Sequence, residues 1–181
     1  ARGILEACAP DGELLGLDLD PQALALARET LAPFGTRAHL AQASYASLPQ
    51  QIGQLGWDAV DGIVLDLGLS SMQLDTPERG FSFMHDAPLD MRFSPVNTVT
   101  AASLVNGLDE DELADILYRY GEESDGRRIA RAIVRARPLQ TTRALATAIE
   151  KVIPRRKGIH PATKTFQALR IAVNEELASV A

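Results

Sequence analysis

Two carboxylates stand where a nucleoside ribose could bind. Asp18 follows the short apolar run at 14–17, and Asp66 follows a similar run at 62–65. Short apolar runs bounded by turn residues are typical of strands buried on both faces of a parallel sheet. Ligands of such sheets bind beyond the carboxyl ends of the strands, where a carboxylate can accept hydrogen bonds from a ribose. A turn or capping role would explain the position of Asp18 equally well, since strand-end carboxylates often serve turns.

The sequence around these carboxylates alternates between strand-like and helix-like patterns. A helix is predicted to begin at Asp20-Pro21, because aspartate is a favoured N-cap and proline suits the first helical position. A second strand follows at 38–41, a short helix at 48–55 and a third strand at 62–65. Strand, helix, strand, helix and strand in this order predict a parallel α/β sheet of the doubly wound kind.

Length and composition limit the class of protein. The chain has 181 residues, 46% of them hydrophobic and 23% charged, which is typical of one globular domain with a small appendage. The single cysteine, Cys8, excludes an internal disulfide framework, and we predict no metal site. With no run long enough for a membrane span and no signal-peptide pattern, we predict a cytoplasmic location. Both ends fall inside helix-like patterns that lack caps, so we expect a fragment of a longer protein.

The stretch 67–95 shows no sustained periodicity, and a loop of this length is usually functional or disordered. Its composition argues against disorder, because apolar and charged side chains alternate: Arg79, Phe81, Phe83, Met84, Asp86, Asp90, Met91, Arg92 and Phe93. Such residues suit a lid over a ligand or a platform for a nucleic-acid base. A loop that packs its aromatic side chains beneath itself is the alternative, and the sequence leaves both open.

The last half of the chain is predicted to form a helical subdomain over 104–153. A capping-box pattern at Asp109 to Glu112 begins one helix, which Gly121 ends. Further helices are predicted at 127–137, from Thr141 or Thr142 onward, and through the apolar positions of the final segment, Phe166, Leu169, Val173 and Leu177.

Charge is distributed unevenly along the chain. The net charge of −6 and the pI of about 5.1 argue against a nucleic-acid binder that relies on bulk positive charge. From residue 127 to residue 170, however, there are 12 Lys or Arg and one acid, a net +11, whereas the remainder has 6 bases and 23 acids. Three arginines share one helical face: Arg128, Arg131 and Arg135. We therefore favour a phosphate-contacting surface over a merely solvated helix face.

Six ordered motifs together resemble one known family. They are Gly16-Leu17-Asp18-Leu19-Asp20-Pro21, Leu65-Asp66-Leu67-Gly68-Leu69-Ser70-Ser71 with Gln73-Leu74-Asp75, Glu78-Arg79-Gly80-Phe81-Ser82-Phe83-Met84, Pro88-Leu89-Asp90-Met91-Arg92, Tyr120-Gly121-Glu122-Glu123, and the run from His160 to Arg170. Over nearly the whole chain the sequence resembles the RsmH (MraW) family, bacterial S-adenosylmethionine-dependent methyltransferases of small-subunit ribosomal RNA. The resemblance implies methylation of the N4 amine of a decoding-centre cytidine in 16S rRNA. It also implies a partial class I (Rossmann-like) methyltransferase sheet with an inserted all-helical subdomain.

The resemblance also implies roles for individual residues. Cofactor contacts would come from Asp18, Tyr45, Asp66 and Gln73, with Tyr45 at a position where the family commonly has Phe. Asp66 is in addition the candidate catalytic residue, which could accept a hydrogen bond from the target amine or from the cofactor. Two family segments are missing: the Gly-rich turn that ends in Gly-Gly-His, and the later strands with their Ser-Phe-His-Ser segment.

The motif positions predict three parts of the chain. Residues 1–77 form part of the methyltransferase domain, 78–162 a loop and helical insert that recognises RNA, and 163–181 a helix returning to the first domain. Contacts to the partner, 16S rRNA in the small ribosomal subunit, are predicted for Arg79, Arg92, Arg127, Arg128, Arg131, Arg135, Arg155, Arg156, Lys157 and Lys164. A homodimer is one option for the assembly.

Two other functions compete with this interpretation. One is a non-catalytic RNA-binding or ribosome-assembly module. Binding of S-adenosylmethionine would distinguish an enzyme from such a module. The other is a nicotinamide enzyme that uses Asp18 to bind ribose, which calorimetry with S-adenosylmethionine and with NAD would separate.

Overall fold

A computed structural model describes residues 1–154 and 158–176 of the chain. These residues form two compact units of mixed α/β structure, which divide between Asp66 and Leu67. The predicted boundaries after residues 77 and 162 do not coincide with this division. No helix in the described part of the chain is long and apolar enough to cross a membrane.

The first unit contains a small parallel sheet and three helices. Its elements are α1 (Arg2–Ala7), β1 (Leu14–Asp18), α2 (Pro21–Leu31), β2 (Ala38–Gln42) and α3 (Leu48–Gln54), with 3-10 turns at Ala32–Arg37 and Tyr45–Ser47. The strands pair in parallel, with Leu14 opposite Ala38 and Asp18 opposite Gln42. The predicted first and second strands and the helices that follow them are therefore confirmed. The long α2 places β2 beside β1 in the same direction, as a strand–helix–strand crossover requires.

The predicted third strand at 62–65 is wrong for this structure. Residues 58–70 have no helix or strand, and Ile63, Val64 and Leu65 are 60%, 78% and 57% exposed. An extended segment becomes a strand only when a neighbour accepts and donates its backbone hydrogen bonds. The sheet formed by the described residues contains β1 and β2 alone, and neither pairs with this segment. The apolar pattern indicated a buried segment without specifying a neighbour for it.

The second unit is helical. Its helices are α4 (Ser71–Leu74), α5 (Ala101–Gly107), α6 (Glu110–Gly121), α7 (Gly126–Ala136), α8 (Thr142–Glu150) and α9 (Thr163–Asn174), with a 3-10 turn at Pro77–Arg79. One core joins helices α5 to α9 to the loop between α4 and α5, and its fully buried members include Leu89, Met91, Val105, Leu113, Leu117, Ile129, Ile133, Leu145, Ile149 and Leu169. Removing this much apolar surface from water stabilises the helical unit.

Side-chain caps set where these helices begin. The predicted capping box of α6 is present, because Asp109 Oδ1 accepts from the Glu112 amide at 2.8 Å and Glu112 Oε2 accepts from the Asp109 amide at 2.9 Å. Of the two predicted caps for α8, Thr141 is the N-cap. We did not predict α5 as a separate helix, although Thr100 and Ser103 form an equivalent box before it.

The loop between α4 and α5 packs part of its apolar surface into the core. Phe81 is 6% exposed and Met91 is fully buried, which confirms the packing alternative for these two residues. Met84 is 73% exposed. Thr142, at the first position of α8, holds the loop from the other side: its hydroxyl donates to His85 O at 2.8 Å and accepts from the Ala87 amide at 3.1 Å.

Candidate functional site

Asp18 ends β1 at the carboxyl edge of the sheet, and its side chain is exposed. Its Oδ1 accepts a hydrogen bond from the Asp20 amide at 2.8 Å, so the carboxylate orders the turn that leads into α2. Within the described residues, Oδ2 makes no hydrogen bond or ion pair. Asp18 therefore performs its predicted turn role with one oxygen and presents the other oxygen to solvent.

The carboxyl end of β2 places Tyr45 at the same edge of the sheet. Gln42 lies opposite Asp18 in the parallel register, and the Ala43 amide donates to Asp18 O at 3.1 Å. Ser44 then caps a 3-10 turn by accepting from the Ala46 amide, and the half-buried Tyr45 is the first residue of that turn. The structure thus brings together two of the four predicted cofactor residues, Asp18 and Tyr45.

Asp66, the third predicted cofactor residue, is exposed at the end of the first unit. In the part of the chain that the structure describes, its carboxylate makes no hydrogen bond or ion pair. The segment before it lacks regular structure, so no strand fixes Asp66 at a sheet edge. Asp66 is therefore an accessible carboxylate that stabilises no element of the described fold.

Gln73, the fourth predicted cofactor residue, belongs to the second unit and is 6% exposed. Its side-chain oxygen accepts from the Ser70 amide at 3.1 Å, while Ser70 Oγ accepts from the Gln73 amide at 3.2 Å. This reciprocal pair is a capping box at the start of α4. Gln73 therefore has a clear structural role in the described fold.

The predicted basic face of α7 is formed. Ile129, Ala130 and Ile133 face the core, while the arginines lie exposed on the other side of the helix: Arg127, Arg128, Arg131 and Arg135. Arg131 pairs with Glu110 of α6 at 3.1 Å. The other three make no hydrogen bond or ion pair with any described residue. Cations that have no protein partner are available to an external polyanion.

Arg79 and Arg92 differ from the arginines of α7 because their donors are engaged within the protein. Arg79 Nη2 donates to Arg92 O at 2.9 Å and Phe93 O at 3.1 Å, and its guanidinium lies 5.6 Å from the centre of the Phe81 ring. Arg92 pairs with Asp90 and donates to Asn97 O at 2.7 Å. Both arginines hold the loop together, which leaves fewer donors for RNA than their charge alone indicates.

Asp90 is held in its charged form by this arrangement. Partial burial alone would raise the pKa of its carboxyl, but the hydrogen bonds from the Arg92 side chain and amide, together with the charges of Arg92 and Arg79, lower the pKa below 3.8. The pair lies beside Met91, which has a left-handed φ of 65°. Asn174 of α9 fixes that turn, because it donates to Met91 O at 2.8 Å and accepts from the Phe93 amide at 2.7 Å.

Of the remaining predicted RNA contacts, Lys164 lies in the first turn of α9. Lys164 Nζ donates to Glu122 O at 2.8 Å, so this lysine caps the end of α6. Arg155, Arg156 and Lys157 lie outside the described residues.

Sequence reasoning missed a cluster of aromatic side chains around His160. The imidazole of His160 stacks on Phe83, with ring centres 4.4 Å apart, and Phe83 meets Phe166 edge to face at 5.0 Å. The signal was present, since Phe83 lies in one family motif, and His160 and Phe166 lie in another. Sequence distance concealed that the two motifs meet in space.

A parallel sheet with an exposed carboxylate at the end of its first strand defines an α/β protein with a candidate ribose site. The chain belongs to the MraW methylase family, whose model matches residues 1–181. It is 53% identical over 186 residues to ribosomal RNA small subunit methyltransferase H of Geotalea uraniireducens, covering 99% of this chain and 60% of that protein.

Proteins of the same name show similar identity. The one from Geobacter sulfurreducens is 54% identical, covering 99% of this chain and 60% of that protein, and the one from Dehalococcoides mccartyi is 54% identical, covering 98% and 51%. The chain thus spans about half to three fifths of the length of these relatives.

Proposed function

We propose that the protein transfers a methyl group from S-adenosylmethionine to 16S rRNA, at the N4 amine of a cytidine in the decoding centre, in the cytoplasm. The observation that carries this proposal is the family membership over the whole chain, joined to relatives whose name is ribosomal RNA small subunit methyltransferase H. The exposed carboxylate oxygen of Asp18 at the sheet edge, which makes no hydrogen bond with a described residue, supports it from the structure.

The proposed architecture is a class I, Rossmann-like sheet with a helical insert. Support comes from the parallel pairing of β1 and β2 across α2, which is the repeating unit of doubly wound sheets. In this proposal residues 1–77 belong to the catalytic domain, 78–162 to the RNA-recognising insert and 163–181 to a returning helix.

The residues at the sheet edge fit the nucleoside part of the cofactor. Asp18 Oδ2, which forms no hydrogen bond with a described residue, can accept from a ribose hydroxyl, while Oδ1 is bonded to the Asp20 amide and keeps the side chain in place. Tyr45 begins the turn after β2 and offers an aromatic side chain at the same edge. Asp66 and Gln73 are proposed to complete the contacts. The cofactor, when bound, supplies an electrophilic methyl group.

The chemical task of the protein is positioning. The N4 lone pair of cytosine is delocalised into the ring, so the amine is a weak nucleophile and needs in-line placement against the methyl group. The base must first leave its stack to reach a protein site. Asp66 can accept a hydrogen bond from the amine and orient it, or accept one from the cofactor; its exposed carboxylate is compatible with either role.

The basic face of α7 is proposed to bind the rRNA backbone. Arg127, Arg128 and Arg135 are exposed and make no ion pair with a described residue, and they belong to a segment with a net charge of +11. Phosphate contacts from such a face position a nucleic acid without reading its sequence.

Labelled S-adenosylmethionine tests the proposal. A protein that carries this chain at the full length of its relatives should transfer label to small-subunit rRNA, and digestion of the product should yield N4-methylcytidine. Calorimetry should detect binding of S-adenosylmethionine to the protein but no binding of NAD. Binding of NAD alone would favour the nicotinamide enzyme, and RNA binding with neither cofactor would favour a non-catalytic module.

The Asp18→Asn variant tests the cofactor site. The amide oxygen can still accept from the Asp20 amide, so the fold is retained, while the charge is lost. We expect the affinity for S-adenosylmethionine to fall about tenfold, because the hydrogen bond to a ribose hydroxyl loses its charged acceptor. Asp11→Asn, an exposed carboxylate away from the sheet edge, is the matched control. Equal affinity in the two variants would remove Asp18 from the cofactor site.

A further inference from the structure

The helical unit contains two aromatic stacks, and they differ in how far they are buried. Phe81 and Phe93 stack with ring centres 5.6 Å apart, and Phe81 is buried. The stack of Phe83 on His160 has both members only partly buried, with 21% of the His160 side chain exposed. Behind it, the buried Phe166 of α9 supports Phe83 edge to face. The stack is thus anchored on the core and reaches the surface.

The His160 ring is held in one orientation. Its Nδ1 accepts from the Ala162 amide at 3.1 Å, and an accepting nitrogen carries no proton. The proton of the neutral ring therefore lies on Nε2, which is 2.8 Å from Glu150 Oε1 and donates to it. Two fixed nitrogens and a stacking partner leave the ring rigid. A rigid surface loses little conformational entropy when a ligand covers it.

Each of the two stacked rings has one exposed apolar neighbour in the chain. Met84 follows Phe83 and is 73% exposed, and Ile159 precedes His160 and is 66% exposed. Because both side chains are mostly exposed, neither contributes much to the packing of the core. Apolar groups beside an aromatic ring that reaches the surface are a common feature of binding sites.

The composition of the segment that contains His160 favours a polyanion. Positions 150–164 contain five Lys or Arg and one acid, Glu150, which pairs with His160. Lys151 is exposed directly after α8, and Lys164 lies in the first turn of α9. An apolar surface next to concentrated positive charge suits a ligand with flat faces and a negatively charged backbone, as in single-stranded nucleic acid.

We propose that Met84, Ile159 and the exposed part of the His160 ring form a platform on which one unpaired base of the RNA substrate stacks. This inference rests on the proposed function and adds a base contact to the phosphate contacts of α7. Stacking requires a base that is free of its neighbours, which agrees with a target nucleotide that must leave its own stack.

The Met84→Ser/Ile159→Ser double variant tests the platform. Both side chains are exposed, so the fold is retained, and Val96→Ser, another exposed apolar residue of the helical unit at 81% exposure, is the matched control. The probe is a single-stranded RNA with a fluorescent base analogue whose emission falls on stacking, compared with a duplex of the same sequence. We expect the affinity for the single strand to fall at least about fivefold, the quenching to be lost and the affinity for the duplex to stay the same.

Salt dependence separates this inference from the proposed function. Because stacking releases no counterions, the slope of log Kd against log salt should not change in the double variant, whereas Arg128→Gln/Arg135→Gln should lower it. Unchanged single-strand affinity and quenching in the double variant would overturn the platform while leaving RNA binding by α7 intact. An equal loss for single strand and duplex would also overturn it. Absence of RNA binding by the unmodified protein would overturn both proposals.

A second variant removes the ring itself. His160→Ala should lose the quenching, whereas His160→Phe keeps a ring over Phe83 and should retain most of it. Equal quenching in these two variants would contradict a stacking role for position 160.

Discussion

The guanidinium of Arg92 lies side by side with the carboxylate of Asp90, with Nε donating to Oδ1 at 2.8 Å and Nη2 to Oδ2 at 2.7 Å. The two residues are separated only by Met91, whose left-handed φ of 65° turns the chain between them. A bidentate pair of this kind fixes direction as well as distance. The arginine therefore acts as an internal brace of the loop, which leaves fewer of its donors for RNA.

Replacing Asp90 should destabilise the protein in a pH-dependent way. The pKa of Asp90 is lowered in the folded state, so its stabilisation is present above the unfolded pKa of about 3.9 and is lost as pH falls through the folded pKa. We expect Asp90→Asn to lower the free energy of unfolding by about 1 to 3 kcal/mol at neutral pH, with the difference narrowing below about pH 4.

Urea unfolding at neutral and acidic pH measures this effect. The control is Asp115→Asn, because the pair of Asp115 with Arg119 on α6 is solvent-exposed and such pairs contribute little. If the loss in the free energy of unfolding of Asp90→Asn stayed constant down to the lowest pH, this would contradict a role for the charge of Asp90.

Loss of the hydroxyl of Thr142 should loosen the loop from α8. In Thr142→Val, His85 O loses its donor and the Ala87 amide its acceptor, at a position with no solvent exposure. We expect a loss of about 2 kcal/mol or more in the free energy of unfolding, since unsatisfied buried groups are costly. Thr142→Ser keeps the oxygen and should recover most of the loss; equal stability of the two variants would show that the hydroxyl is unimportant.

The arginines of α7 should control the electrostatic part of RNA binding. Arg128→Gln/Arg135→Gln removes two exposed cations that make no ion pair with a described residue, so stability should change by less than about 0.5 kcal/mol. The salt slope for single-stranded RNA should fall by about 1.4, at about 0.7 per phosphate contact. Arg119→Gln on α6 is the control, and a slope that did not differ from it would exclude this face from the RNA surface.

Asp66 should be needed for methyl transfer and not for folding. Its carboxylate is exposed and forms no hydrogen bond with a described residue, so Asp66→Ala should leave the melting curve nearly unchanged. At the full length of the relatives, we expect the rate of methylation to fall about 100-fold or more, because the amine or the cofactor loses an orienting acceptor. Asp61→Ala, at an exposed neighbouring carboxylate, should keep its rate. Near-normal turnover in Asp66→Ala would remove this residue from the mechanism.

Local signals predicted the elements that depend on local interactions. The N-cap Asp20, the capping box of Asp109 and Glu112 and the apolar face of α7 all lie within a few residues of the structure they specify. The strand prediction at 62–65 was wrong for the opposite reason. Whether this segment forms a strand depends on a neighbouring strand, and periodicity carries no information about neighbours.

In the candidate site, too, the sequence predicted the positions that depend on local interactions and did not predict those that depend on distant contacts. Asp18 follows its strand directly, so its place at the sheet edge was readable from the sequence. The engagement of Arg79 and Arg92 with backbone carbonyls was not, since it depends on how the loop folds back on itself. The stack of Phe83 and His160 joins residues far apart in the chain, and it depends on the folded loop that brings Phe83 to Phe166 of α9.

The exposed segment at 62–65 has a consequence for handling the protein. Ile63, Val64 and Leu65 are β-prone, uncharged and open to solvent, which is the profile of a segment that seeds intermolecular β-pairing. Asp61 and Asp66 flank it, and flanking charges of this kind oppose aggregation. The carboxylate proposed for chemistry thus also acts as a gatekeeper against self-association, and neutralising it should lower the concentration at which the protein precipitates.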